Sequence, residues 1–296
     1  MTSRCARAAL REVGTVKFAV FTASTPDWSP TEATQILAAQ GWDGIEWRIT
    51  DQADADEPGF WAGNRATWPL SGLEESVPSI AAITRDAGLS FSGLGGYARC
   101  DNHEDVERML AATAALGAAR VRVTMPRTDS GEYSALFAAA RADLSWIASR
   151  AAAHGVQALI ELHHETITAS ASAARRLVDG LDPARVGVIH DLGNLVIEGF
   201  EEGGLDILGP YLAHVHVKNV RWVPLAAGED GVVAWHHEWA TLRAGQADVF
   251  GYLASLVRHG YDGWITVEDF STELPLEERT ADNLAFLRAA LSAARA

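Results

Sequence analysis

The chain has 296 residues, 48% of them hydrophobic, and a formal net charge of −15. That length suits one large α/β domain or two medium ones, and the apolar content is ample for a sizeable core. The acidity argues against nucleic acid or anionic membrane as a partner, and two cysteines, Cys5 and Cys100, with no CxxC exclude a disulfide framework and point to a reducing, cytoplasmic setting.

Residues 1–14, MTSRCARAALREVG, carry basic residues without a continuous apolar core. They read as a short N-terminal extension, not a secretory signal, ahead of one domain over 15–296. No later stretch is long and apolar enough to span a membrane. Apolar runs predict strands at 16–22, 44–48, 89–94, 119–124, 156–162, 186–191, 213–218 and 263–268. Helical patterns fall near 29–40, 74–87, 102–116, 131–154, 169–180, 202–210, 247–259 and 276–294. Ser29, Pro30 and Glu32 have the order of a cap, a first-turn proline and a capping-box glutamate. Gly41, Gly88, Gly117, Gly155 and Gly260 each stand between a helical pattern and an apolar run, where glycine accepts the left-handed conformation that stops a helix. Two of these turns nearly repeat, GWDGIEW at 41–47 and GYDGWITVE at 260–268.

Strand and helix alternate eight times, which predicts a single α/β domain, a (β/α)8 TIM barrel. The rival, an open doubly wound sheet, usually carries a glycine-rich phosphate loop after its first strand, and FTASTPDW is not one. Two βα loops are long. Residues 49–73, after the second strand, carry Phe60, Trp61, Arg65 and Trp68; residues 219–246, after the seventh, carry Arg221, Trp222, Trp235, His236, His237 and Trp239. Long loops in a compact domain are functional or disordered, and tryptophan argues against disorder. Aromatic walls for a sugar and plain packing of loop on barrel both remain open.

Four potential metal ligands end four different apolar runs: Glu161 in ALIEL, Asp191 in VGVIHD, His216 in AHVHVK and Glu268 in WITVED. In a closed parallel barrel the C-terminal strand ends share one mouth, so these residues are expected to meet. Singly, each has an ordinary reading as a salt bridge or a hydrogen-bonded core group; their coincidence at the ends of strands five to eight is what indicates a site. Three carboxylates and an imidazole suit one divalent ion, Mn²⁺ first, with Mg²⁺, Co²⁺ or Zn²⁺ compatible. A hydroxyl and a carbonyl oxygen of a sugar or polyol would fill the remaining positions. The polarised carbonyl would then favour an enediolate and acidify the neighbouring C–H for a carboxylate base.

On the segments IELHHETITAS (ending at Ser170), VGVIHDLGN at 186–194, HVHVKN at 214–219 and YDGWITVEDF at 261–270, the chain resembles the xylose isomerase-like TIM barrel superfamily, the sugar phosphate isomerase/epimerase group, over roughly 16–290. The resemblance implies one divalent metal held by Glu161, Asp191, His216 and Glu268. It also implies that Glu161 and Glu268 serve as an acid/base pair on opposite faces of the substrate, as in ketose 3-epimerases. His163, in an E-x-H-x-x-T arrangement like that of keto-acid and keto-polyol dehydratases, is expected near the substrate. Lys218, Arg221, Glu46, Asn194, Trp61 and Trp222 complete the expected substrate contacts, with structural ion pairs at the mouth as the other open reading for the charged ones. His164 and His214 are expected to face outward, and His236 and His237 to lie in the loop.

Two departures narrow the expectation. Ketose 3-epimerases place a histidine three residues after the metal aspartate, where this chain has Asn194; their second glutamate lies six residues after the first, where it has Ile167, with Glu165 coming early. Dehydratase and lyase chemistry therefore stay open beside isomerisation and epimerisation. DNA-repair endonucleases of this fold need further histidines, and Asn194, Tyr97 and Thr124 stand where those would be sought. A different class of function is a metal-bearing, non-catalytic subunit of a larger complex, with the tryptophan-rich loops docking a partner. Relatives are often dimers or tetramers, so a homo-oligomer is a further expectation.

Overall fold

The computed structural model describes residues 15–198 and 203–296; the extension expected over 1–14 lies outside the described residues. In chain order the elements are β1 (Lys17–Phe21), α1 (Pro30–Gln40), β2 (Gly44–Ile49), β3 (Thr67–Trp68), α2 (Leu73–Asp86), β4 (Ser90–Gly96), α3 (His103–Leu116), β5 (Arg120–Arg122), α4 (Tyr133–His154) and β6 (Gln157–Glu161). They continue with α5 (Ala171–Val178), β7 (Val186–Asp191), α6 (Leu192–Glu198), α7 (Gly204–Leu208), β8 (Leu212–Val217), β9 (Asn219–Ala227), β10 (Val233–Ala240), α8 (Val249–His259), β11 (Trp264–Val267) and α9 (Leu276–Arg295). Strands β1, β2, β4, β5, β6, β7, β8 and β11 pair in parallel, and β11 hydrogen-bonds to both β8 and β1, so the sheet closes into an eight-stranded barrel. Among the described residues no helix is long and apolar enough to cross a membrane.

Local chemistry sets the element ends. Ser29 and Glu32 form the reciprocal capping box: the Glu32 amide donates to Ser29 Oγ (3.3 Å) and the Ser29 amide to Glu32 Oε2 (2.7 Å). Helices α1, α3, α4 and α8 stop at left-handed Gly41, Gly117, Gly155 and Gly260.

The period-two alternation of the strands decides what each face meets. On β2, Ile45 and Trp47 are fully buried toward the helices, and the Trp47 indole N–H donates to Thr84 Oγ1 of α2 at 2.9 Å. Glu46, one residue away, points into the barrel. Val215 and Val217 of β8 and Ile265 and Val267 of β11 likewise join the apolar layer between sheet and helices. Burying such a side chain contributes roughly 1.5–3 kcal/mol, so this layer fixes strand register and aims the intervening polar residues inward.

The long loops and the segment after Asp191 hold structure beyond the sequence reading. The loop over 219–246 contains an antiparallel ribbon, β9 with β10, because VRWVPLAA and VAWHHEWA supply β-formers that pair across a turn. Its base is pinned by Asn219, whose amide donates to the Leu242 and Ala247 carbonyls at 3.0 and 3.1 Å. A helix, α6, starts directly after Asp191, and the helix expected over 202–210 is the short α7 followed by a 3-10 turn at Gly209–Tyr211. The loop after β2 is held by buried Asn64, which donates to the Thr22 and Ala23 carbonyls at 3.3 and 3.1 Å.

Candidate metal and substrate site

Glu161, Asp191, His216 and Glu268 lie at the ends of β6, β7, β8 and β11 and converge: one ligand atom from each lies within 4.8 Å of all the others, and all four side chains are buried. His216 Nδ1 stands 3.3 Å from Glu161 Oε1, 3.1 Å from Glu268 Oε1 and 3.9 Å from Asp191 Oδ2. The second oxygen of each glutamate is occupied by a cation. Arg122 donates to Glu161 Oε2 at 2.8 Å, and Lys218 to Glu268 Oε2 at 2.6 Å and Asp191 Oδ2 at 2.5 Å.

A second polar layer lies beneath. Glu46 Oε2 is 2.9 Å from His214 Nε2 and 3.3 Å from His216 Nε2, and His214 also reaches Thr266 Oγ1 at 3.0 Å. His214 therefore faces inward, correcting the outward placement expected from the sequence. Residues 214, 216 and 218 share strand parity, so all three point the same way. Phe21 packs its ring against His216, centroids 6.0 Å apart.

The electrostatics of these layers fit a divalent cation. Among the described residues, four buried carboxylates, Glu46, Glu161, Asp191 and Glu268, are in contact with only two permanent cations, Arg122 and Lys218. The deficit appears in the acid–base behaviour. Burial, reinforced by the charges of Glu268 and Glu161, pushes the Asp191 carboxyl up to about 7 even though Lys218 opposes it. Burial works against charge on His216 too, but Glu268 and Glu46 hold its imidazolium well above the usual range. For Glu268, burial is outweighed by Lys218 and His216, which bring it down to about 2. For Glu161, Arg122 and His216 overcome burial and hold it well below the carboxylate range. A divalent ion would supply the missing positive charge to an oxygen-rich donor set.

Above these four residues opens a cavity of about 430 Å³, walled by Phe21, Trp61, Tyr97, Trp239 and Phe270 and floored by Glu161, Glu268 and Lys218. The two loops noted for their aromatic content thus contribute Trp61 from one and His237 and Trp239 from the other. A sequence profile of the xylose isomerase-like TIM barrel family matches residues 34–290. The chain belongs to that family. No curated protein matches its sequence. Among solved structures it is similar to a xylose isomerase-like TIM barrel protein from Mycobacterium smegmatis in complex with magnesium (TM-score 0.70, 18% identity, 97% of this chain and 100% of that one). It is also similar to a 3-keto-D-glucoside 4-epimerase from E. coli (0.68, 18%, 93% and 100%) and a D-allulose 3-epimerase from Methylomonas sp. (0.69, 17%, 94% and 99%). At such identities the likeness concerns the fold.

Within this family fold the other expected substrate residues divide. His163 lines the cavity, and its Nδ1 lies 2.7 Å from the His164 carbonyl. A carbonyl only accepts, so Nδ1 is the donor in this contact, and Nε2 is left for another partner. Trp61 and Lys218 also line the cavity. Asn194 does too, but its amide is engaged: Nδ2 donates to the Leu162 carbonyl and Oδ1 accepts from His164 Nδ1, both at 3.0 Å. Glu46 lies below His216 and outside the cavity lining. Arg221 is drawn aside by Glu273, and the Trp222 indole donates to the Val196 carbonyl at 3.0 Å; neither lines this cavity.

His164, expected outward, also lines the cavity, because β6 ends at Glu161 and the following turn abandons strand parity. That turn contains Glu165 at φ 62°, whose carboxylate pairs with Arg127 at 2.8 Å and so does not replace the glutamate absent at Ile167. Arg122 and Tyr97, not among the substrate contacts expected from the sequence, also belong to the site: the Arg122 guanidinium lies 4.4 Å from the Tyr97 ring centroid while it grips Glu161. The inward parity of β5 was the available signal.

Proposed function

We propose that this chain is a divalent-metal-dependent isomerase or epimerase of a sugar or polyol, in which Glu161 and Glu268 move a proton α to a carbonyl. The observation that carries the reading is the buried meeting of Glu161, Asp191, His216 and Glu268 under an aromatic-walled cavity. The sugar epimerases among the similar structures are in line with it.

Glu161, Asp191, His216 and Glu268 would hold the ion, which as a Lewis acid would polarise the substrate carbonyl. Glu268, ionised and held by Lys218, would accept the α-proton. Glu161, oriented through Oε2 by Arg122, keeps Oε1 toward the centre, where it would pass a proton taken from solvent to the other face of the enediolate while Glu268 loses its proton to solvent. His163 offers Nε2 to a substrate hydroxyl. The aromatic walls exclude water and pack on the C–H faces of a ring. His163 also favours a second reading, dehydration, since a histidine beside the reacting carbons can carry a proton to a departing hydroxyl.

Metal content and proton exchange test the proposal. The protein is expected to bind one Mn²⁺ or Mg²⁺ and to wash deuterium from D₂O into a ketose. Glu161→Gln and Glu268→Gln should each slow exchange about 10²–10⁴-fold, the usual contribution of a positioned acid or base. Undiminished exchange in either variant would defeat the assignment. Product analysis separates the readings, since a dehydratase releases a deoxy-keto product.

A further inference from the structure

A second cavity, of about 320 Å³, borders the first. The two share Arg122, Thr124, Glu161 and His163 as lining, so they form two lobes meeting at the proposed reaction centre. The lobes differ in chemistry. The first is walled by aromatic rings. The second lies between the segments following β4, β5 and β6 and is faced by Val123, Met125 and Pro126 with the hydroxyls of Ser130, Thr166 and Thr168. Each volume falls near the lower end of the roughly 300–1,000 Å³ range of ligand pockets; one monosaccharide does not require both.

The charge of the walls is equally specific. The cationic side chains lining the two lobes are Arg99, Arg122, Arg127 and Lys218, and each has an acidic partner. Arg99 forms a fork with Asp101 at 3.0 and 2.6 Å, and Arg127 lies between Asp129 and Glu165 at 3.3 and 2.8 Å. Arg122 holds Glu161, and Lys218 bridges Asp191 and Glu268. The remaining lysine, Lys17, opens β1 at the opposite end of the barrel. A phosphate would need a basic clamp, and none of these cations is unpaired.

Resting on the sugar reading above, we infer that the substrate is an uncharged glycoside. Its reacting keto-sugar ring occupies the aromatic lobe, and its aglycone or second sugar occupies the lobe faced by Met125, Pro126 and Ser130. A free ketose would leave the second lobe empty, and a sugar phosphate would bring an anion to walls whose cations are already neutralised.

The test is calorimetric titration of the Mg²⁺-loaded protein with three probes: D-allulose, D-allulose 6-phosphate and the 3-keto form of phenyl β-D-glucoside. The keto-glucoside is expected to bind about tenfold or more tighter than D-allulose, and the phosphate no tighter than D-allulose. Ser130→Trp, at an exposed turn position, should reduce the glycoside's advantage to below about threefold by filling the second lobe. A crystal of the complex should place the phenyl group against Met125 and Pro126. Tightest binding of the phosphate, equal binding of D-allulose and the glycoside, or a phenyl group lying elsewhere would each overturn the inference while leaving the sugar reading intact. Binding of none of the three would overturn both.

Discussion

Replacing Glu46 by glutamine removes the carboxylate that faces both His214 and His216 beneath the proposed ligands. The carboxylate is buried, with Oε2 3.3 Å from His216 Nε2, while His216 Nδ1 faces Glu161 and Glu268. A histidine that binds metal through Nδ1 must retain its proton on Nε2, and an anionic acceptor at that nitrogen both fixes the tautomer and strengthens the donor atom. The substitution Glu46→Gln preserves the volume but removes the charge, and His214 retains Thr266 Oγ1 at 3.0 Å as a second partner, so the fold should persist. Outer partners of this kind are worth about 10–100-fold in metal affinity, or about 1.4–2.7 kcal/mol. Titration with Mn²⁺ should show that loss, and nitrogen NMR of the Mg²⁺ form should show a less polarised Nε2–H at His216. An affinity within about threefold of the parent protein would refute the reasoning, because the second layer would then contribute nothing to the first.

Three further outcomes follow from the geometry. Because the buried carboxylates outnumber their cations, a divalent metal at a hundredfold its Kd should stabilise the fold by about 2.7 kcal/mol, raising Tm by roughly 5 °C; calorimetry with and without EDTA reads this directly. Gly95→Ala would place a Cβ against the Phe21 ring, which packs on His216; overpacking there should cost about 1–3 kcal/mol in denaturant titrations and weaken Mn²⁺ binding as well. On the outer surface, hydrogen bonds from Arg150 and then His154 of α4 bring Glu107 of α3 down to about 2. A lowered folded-state pKa stabilises the native protein above the ordinary glutamate value and is lost as pH falls from about 4.5 toward 2. The pair is partly exposed, so Glu107→Gln should cost no more than about 1 kcal/mol at neutral pH. The gap between variant and parent should close over that acidic window.

By itself the sequence determined the barrel and the membership of its mouth. Glycine stops, the Ser29 cap and apolar runs are local signals, and a parallel barrel converts "end of a strand" into "same place", which is why Glu161, Asp191, His216 and Glu268 could be grouped without coordinates. What the tertiary structure decided is how the charges pair. Lys218 and Arg122 look alike as inward cations, yet one bridges Asp191 with Glu268 while the other locks Glu161. Strand parity left Glu46 free to meet a sugar or a histidine, and it meets two histidines. Arg221 and Trp222 followed β9 away from the cavity once the loop became a ribbon. These outcomes depend on distances between residues remote in the chain, where a shift of roughly an ångström changes which partner wins. Strand periodicity carries the direction of a side chain but not the identity of what it touches.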